Sequence, residues 1–427
     1  MEAPAPATVL PRSEHPIASR RLSAGAQKVL RRLRQSGRNA CLVGGSVRDL
    51  MLDRRPKDYD VVTDARPEEV RRLFRNSRII GRRFRLVHVL FSDEVVEVST
   101  FRGAPDPDDQ RRSPGELLVT SDNTYGTPRQ DAFRRDFTVN ALLYRASDRA
   151  VVDYVGGIQD LEQRSLRVIG DPNVRYREDP VRMLRACEFA ARLDFEIEEG
   201  TLGAAFAHRR DMVKASPHRL IEELLQLLAS GRSAAAFDWM GHSGLLPIVL
   251  PEVDEVSEQS SGANSFANLA RLLDKRVRAG PEVPPAVLLS SLLLPRVVVG
   301  RDRLEAGGAR VHRRRLQQLV DDVVADFGQR FALSAARRSR MKKALETFQR
   351  LCEEPRNPRT VPSLVRREAF VPALELFALL SAATGSGVEA LESWRRHAEA
   401  APPGKPADTA RPRRRRRRRR RPRRRHL

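Results

Sequence analysis

Apolar residues recur at helical spacing in the segment that begins near Ser23, where Ala24, Val29, Leu30 and Leu33 form one stripe. Asn39–Val43 changes period and predicts a strand running into a glycine pair, and Val47–Leu52 predicts a helix just beyond it. Tyr59–Thr63 predicts a second strand. Pro67-Glu68-Glu69 then opens a helix, with proline in its first turn and acids at the positive end of the dipole. Ile79–Ile80, Leu86–Phe91 and Val95–Thr100 predict three further strands, and polar, Asp-, Pro- and Gly-rich Gly103–Pro128 predicts a mobile loop.

After Asp171-Pro172 the pattern turns helical. Val181–Leu193, Leu220–Leu228 and Ala234–Met240 carry helical spacing, and Ala286–Leu294 reads as a buried helix. Pro281, Pro284–Pro285, Pro295 and Gly307–Gly308 predict breaks between helices. The first residues are Pro/Ala-rich and read as loose, and from Ala401 a linker runs into an arginine tail. The organisation expected is therefore a flexible N-terminus (1–17), an α/β head (18–165), a helical neck (166–255), a helical body (256–399), and a disordered linker with Arg-rich tail (400–427).

Composition sharpens the function classes. With 427 residues, 41% hydrophobic and 31% charged, the chain suits several cores. No apolar run reaches the ~20 residues of a membrane span. The N-terminus shows no basic-then-apolar signal pattern, and Cys41, Cys187 and Cys352 make neither a disulfide framework nor a zinc motif. A cytoplasmic setting is expected. The net charge of +23 is partly concentrated in the thirteen arginines from Arg411 onward, yet the rest of the chain is also basic. A polyanion partner, nucleic acid first, is the expectation.

Candidate chemistry gathers in GGSVRDLML…KDYDVVT. If pairing begins at Asp58, Asp58 and Asp60 project from one face of a strand as two hard oxygen donors. Carboxylates so close need a neutralising cation, and Mg²⁺ is commonly held by one or two acids together with substrate phosphates. Gly44, Gly45 and Ser46 lie between strand and helix, where bare backbone and free N–H groups can meet phosphate, and Arg48 follows closely. A D-x-D alone is more often a solvated turn, and a glycine pair more often a plain one. Their combination, with eleven residues between Ser46 and Asp58, is far more specific.

Two residues compete to be the third carboxylate of phosphoryl transfer. Glu97 alternates with Val96 and Val98 and would face the aspartates if its strand is adjacent; its bland reading is a solvent-facing strand position. Asp136 follows Arg134 and Arg135, a pair suited to nucleotide phosphate or ribose, although the cluster also reads as a helix cap. Spacing does not rank them. In EDPVRMLR, Asp179 reads as an N-cap ahead of Pro180. Equally, Asp179 and Arg182 at i, i+3 could present acceptor and donor to a base edge, with Arg185 one turn on.

GGSVRDLML–KDYDVVT, RRDFTVNALLY, VVDYVGGIQDL and EDPVRMLRACEFAARL resemble the class II nucleotidyltransferases, the bacterial poly(A) polymerases and the CCA-adding enzymes. The resemblance is dense from about Ala18 to Phe195 and fades beyond Val253. It implies a DNA polymerase β-like head with Asp58 and Asp60 as metal ligands, and Gly45 and Arg48 on the triphosphate. It also implies Arg134, Arg135 and Asp136 on phosphate and ribose, and Asp179 and Arg182 on the base. IIGRRFRLVHVLF and SDNTYGTPRQDAFRRDF resemble the poly(A) polymerases within the family. The implied activity is template-independent addition of AMP from ATP to RNA 3′ ends, with Mg²⁺ as cofactor and a place in mRNA processing. CCA addition is the nearest alternative and a noncatalytic RNA-binding scaffold a more distant one. The Arg tail is expected to hold RNA nonspecifically, with RNA-decay proteins or an anionic membrane surface as weaker partners.

Overall fold

A computed structural model describes residues 6–81, 85–103, 124–259, 266–306, 312–352 and 361–400. The Gly307–Gly308 break, the Arg-rich tail, residues 82–84 of the GRRF stretch and most of the Gly103–Pro128 loop lie outside them.

The head alternates β1 (Thr8–Leu10), α1 (Ala24–Gln35), β2 (Ala40–Val43), α2 (Gly45–Met51), β3 (Asp60–Thr63), α3 (Pro67–Leu73) and the strands β4 (Ser77–Ile80), β5 (Leu86–Leu90) and β6 (Val95–Thr100). After α4 (Pro128–Arg134) come β7 (Leu143–Arg145), β8 (Ala150–Asp153), α5 (Gly157–Glu162) and β9 (Ser165–Leu166). Ser23 caps α1 by accepting the Ala26 N–H at 3.1 Å, so the helix starts where its serine predicts.

Eight strands form one mixed sheet in the order β1-β8-β7-β2-β3-β6-β5-β4. Only β3 and β6 run parallel among neighbours; the other pairs are antiparallel. One face buries Leu42, Val61, Val87, Val96, Val98 and Val151 in the main core with Val29, Leu30 and Leu33 of α1. The other face carries a small second cluster around Val43, Val62, Phe101 and Leu143. Period-two alternation then puts Asp60 and Glu97 on that second, thinly covered face.

Helices follow: α6 (Pro172–Glu178), α7 (Val181–Leu193), a short strand β10 (Glu196–Ile197), α8 (Glu199–His208), α9 (Pro217–Ala229) and α10 (Ser233–His242). Beyond them α11 to α19 span Leu246–Val249, Pro251–Gln259, Phe266–Ala279, Pro285–Ala306, Arg313–Arg330, Ala335–Leu351, Val361–Val365, Phe370–Thr384 and Val388–Glu399. Parallel pairing of β9 with β10 ties the last head strand to the segment behind α7, so the expected 165/166 boundary cuts a strand.

Three expectations need correction. The Pro/Ala-rich start is not loose as far as residue 17: β1 pairs with β8, and His15 and Ile17 are buried. His15 Nε2 lies 2.7 Å from the Arg149 carbonyl oxygen, which anchors the segment on the sheet. Pro295 sits inside α14 rather than ending a helix, and burial of Val287–Leu294 and Val297 offsets its one missing N–H. Strand β3 starts at Asp60, with Tyr59 outside it donating its hydroxyl to the Arg21 carbonyl at 2.6 Å.

The VGG stretch explains itself by packing. A Cβ on Gly157 would stand 2.2 Å from the Thr138 carbonyl oxygen, while Gly156 holds φ +86° with open space around it. Gly157→Ala is therefore expected to lower unfolding stability by about 1–3 kcal/mol in a denaturant titration. Gly156→Ala should act only through backbone strain.

Candidate active site

The register of three strands builds the site. Val43 of β2 pairs with Asp60 of β3, and Asp60 pairs in turn with Glu97 of β6. Gly44 follows Val43 immediately, with φ +73° that favours glycine. A Cβ there would lie 3.3 Å from Arg135 Nη1 and 3.9 Å from Asp60 Oδ2, so the bare backbone directly faces a carboxylate and a guanidinium. Asp58 stands two residues ahead of Asp60 on an exposed turn.

Charges crowd here. Burial pushes the Asp60 carboxyl up to about 6, Glu97 and Asp58 push the same way, and only Arg135 opposes them. Arg135 is itself aimed by Asp131, whose Oδ2 accepts from its Nε and Nη2 at 3.2 and 3.0 Å. Asp131 was not singled out from sequence, although its i, i+4 spacing from Arg135 was there to be read. Among the described residues no group of three or more His, Cys, Asp or Glu side chains is arranged to hold a metal ion by itself. Two hard carboxylates two residues apart, one of them beside the Gly44 turn, are nonetheless a donor set that fits Mg²⁺, which completes its shell with substrate oxygens and water.

Glu97 and Asp136 have very different surroundings. Glu97 is 43% exposed on its side chain, beside Asp60, with His88 Nε2 at 3.5 Å from its Oε2. Asp136 is consumed by structure. Its Oδ1 accepts from the Phe137 N–H (2.8 Å) and Asn140 Nδ2 (3.2 Å), and its Oδ2 from Arg185 Nε and Nη2 (3.0 and 2.8 Å). Burial alone would raise this carboxyl, but Arg185 and the hydrogen bonds hold it at about 2. Arg185, expected on the nucleotide, instead bridges Asp136 and Glu223 Oε1 of α9 (2.9 Å).

Others among the expected nucleotide ligands also turn inward. Ser46 donates its buried hydroxyl to the Val43 carbonyl at 3.0 Å. Arg48 is 2% exposed: it binds Asp49 Oδ1 and donates to Asn140 Oδ1 at 2.5 Å, and its guanidinium lies 5.4 Å from the Phe189 ring centre. It ties α2 to the Thr138–Asn140 turn and α7 rather than reaching into the cleft, because the short helix buries the face that carries it. Gly45, by contrast, is only partly buried, and a Cβ there would stand 3.4 Å from Arg48 Nη2. Arg134 donates to the Gly103 carbonyl at 2.6 Å.

Asp179 and Arg182 are not paired with each other. Asp179 receives both Nη groups of Arg219 at 2.8 Å in a fork, whereas Arg182 donates to the Arg175 carbonyl (3.0 Å) and Glu178 (3.4 Å). Asp179 ends α6 rather than capping α7 with its side chain. Arg219 lies 40 residues away in sequence, so local spacing gave no sign of it.

A glycine turn facing paired acids on a mixed sheet, followed by helices, defines a nucleotidyltransferase head with an α-helical extension. Residues 40–167 match the family model described as the poly A polymerase head domain, and 194–256 the probable RNA and SrmB-binding site of polymerase A. The chain is 41% identical to poly(A) polymerase I of Salmonella typhi over 292 residues, 67% of this chain and 63% of that protein. It is 34% identical to the CCA-adding enzyme of Bacillus licheniformis over 241 residues, 56% of this chain and 59% of that one. The crystal structure of Bacillus stearothermophilus CCA-adding enzyme in complex with CTP shares the fold at TM-score 0.60 and 24% identity, covering 88% of this chain and 82% of that one. The chain thus spans less than two thirds of the length of these curated relatives. Residues 40–167 thus match the poly A polymerase head domain, and the described chain shares the fold of CCA-adding enzymes.

The strut makes a stability prediction. Arg185→Met strands Asp136 and Glu223 without their shared cation and should cost about 3–5 kcal/mol at neutral pH, with Asp136→Asn on the same background recovering part of it. The Asp136 carboxyl titrates below the ~3.9 of an unfolded chain. Its stabilisation is therefore complete above that value and lost as pH falls through about 2, a dependence that acid titration of Asp136→Asn should lack.

Proposed function

We propose that this protein adds AMP residues from ATP to RNA 3′ ends without a template, releasing pyrophosphate. The observation that carries the reading is the register placing Gly44, Asp60 and Glu97 side by side, with Arg135 over the glycine. The greater identity to proteins named poly(A) polymerase I than to one named CCA-adding enzyme supports ATP as the nucleotide.

Asp58 and Asp60 would hold Mg²⁺, which when bound supplies charge neutralisation on the phosphates and lowers the pKa of a coordinated hydroxyl. The chain's own part is positioning. Gly45, partly exposed at the start of α2, lets the triphosphate approach the backbone, and Arg135 offers it a cation whose direction Asp131 fixes. Glu97, partly exposed beside Asp60, serves as the third acid, accepting a hydrogen bond from the RNA 3′-hydroxyl. Asp136 supports the site from behind through Arg185. Asp179, locked by Arg219, and Arg182 present acceptor and donor to the incoming base. The thirteen arginines from Arg411 add nonspecific affinity for RNA. Among the described residues no helix is long and apolar enough to cross a membrane, and three free cysteines accord with a reducing cytoplasm.

CCA addition is the second reading, favoured by the fold shared with CCA-adding enzymes. Primer extension with ATP and CTP offered separately, on a generic RNA and on tRNA lacking its end, separates the two. ATP-only growth of the generic RNA is expected; ordered C, C, A addition confined to tRNA would contradict it. Asp60→Asn should cut incorporation by more than about a hundredfold while leaving circular dichroism unchanged. Near-normal turnover would remove Asp60 from the chemistry.

A further inference from the structure

Asp58, close enough to Asp60 to raise its carboxyl, also borders a second space. Asp60 stands against Gly44 and Arg135, whereas Asp58 lines an open cleft of about 1250 Å³ between the start of α1, the turn before β3 and the β5–β6 turn. Four cations line this cleft: Arg20, Arg21, Arg55 and Lys57. Arg21 is spent on structure, pairing with Asp53 and donating to the Arg54 carbonyl. Arg20, Arg55 and Lys57 are exposed and have no ion pair among the described residues. Their charge is therefore available to a ligand. The opposite wall carries Asp93 and Glu94, and Glu94 accepts the Gly25 N–H at 2.6 Å.

We propose that this cleft is where the RNA strand enters, its phosphodiester backbone running over Arg20, Arg55 and Lys57 toward a 3′ end placed at Asp58. Three features favour RNA over a second nucleoside triphosphate. The glycine side already offers bare backbone and Arg135 to a triphosphate, on the other flank of the aspartates. The cleft's volume exceeds what a triphosphate fills. Its chemistry is mixed, cations for phosphates and an exposed carboxylate on Asp93 that can accept from ribose 2′-hydroxyls. The surface lies wholly in the head, apart from the matched RNA-binding segment 194–256. It deepens the proposed activity by giving the substrate strand a path, and it rests on that activity only for which end of the RNA arrives.

The test is the triple variant Arg20→Ala, Arg55→Ala, Lys57→Ala in the full chain, all at exposed positions, with circular dichroism as folding control. Binding of a fluorescent single-stranded RNA, without ATP, should weaken roughly tenfold and lose about 0.7 of salt slope for each phosphate contact removed. In primer extension KM for RNA should rise while kcat and KM for ATP stay within about twofold. RNA carrying 4-thiouridine near its 3′ end should crosslink to peptides from residues 20–24 or 55–59 in the unmodified protein. Unchanged RNA affinity and salt slope would overturn the proposal. A rise confined to KM for ATP would overturn it too, giving the cleft to the triphosphate. The binding and crosslinking arms need no turnover, so a chain that bound RNA in this cleft but failed to incorporate AMP would refute the activity and not the path.

Discussion

Three carboxylates held close together against their mutual repulsion are the constraint around which this head is arranged. Strand pairing imposes most of the crowding: β3 lies parallel to β6 in a register that sets Asp60 beside Glu97, and Asp58 stands two residues earlier on the turn before β3. Burial and the neighbouring acids disfavour the ionised form of half-buried Asp60, and its carboxyl shifts upward accordingly. Such local cost is commonly kept where a cation and an anionic substrate relieve it together. Gly44 belongs to the same arrangement, since any side chain there would fill the space between Asp60 and Arg135.

Behind that strained face lies a scaffold built from arginine. Arg48, Arg185 and Arg192 all approach the Phe189 ring, at 5.4, 5.0 and 4.8 Å from its centre. Arg185 joins α9 to the segment after α4, and Arg175 donates to the Arg134 and Arg135 carbonyls at 2.8 and 2.6 Å. Planar guanidiniums that stack and fork suit such joints better than lysine. The consequence for function is rigidity: the turn bearing Arg135 is fixed from the neck side, so the cation over Gly44 keeps its place.

Much of this was legible in the sequence because it is local. The strand–glycine–helix unit, the Asp58/Asp60 pair and Ser23, Pro67 and Pro172 at helix starts all declare themselves within a few residues. Glu97 and Asp136 stayed level in the sequence, since telling their surroundings apart required knowing that β6 neighbours β3 and that Arg185 reaches Asp136. What sequence concealed was pairing over distance. Arg48 and Arg185 look like nucleotide ligands until Asn140, Asp136 and Glu223, from 38 to 92 residues away, are seen to engage them. Asp179 with Arg219 is the same lesson. The Pro/Ala-rich start misled because composition carries no register, and β1 gains its order from β8 alone.

Crystals of the protein soaked with Mn²⁺ and a nonhydrolysable ATP analogue offer the most direct measurement. An anomalous peak within ligand distance of both Asp58 and Asp60, with the triphosphate against Gly45, is the result this account predicts. Manganese bound at Asp136, or a triphosphate seated away from Gly45 while the two aspartates bind nothing, would contradict it.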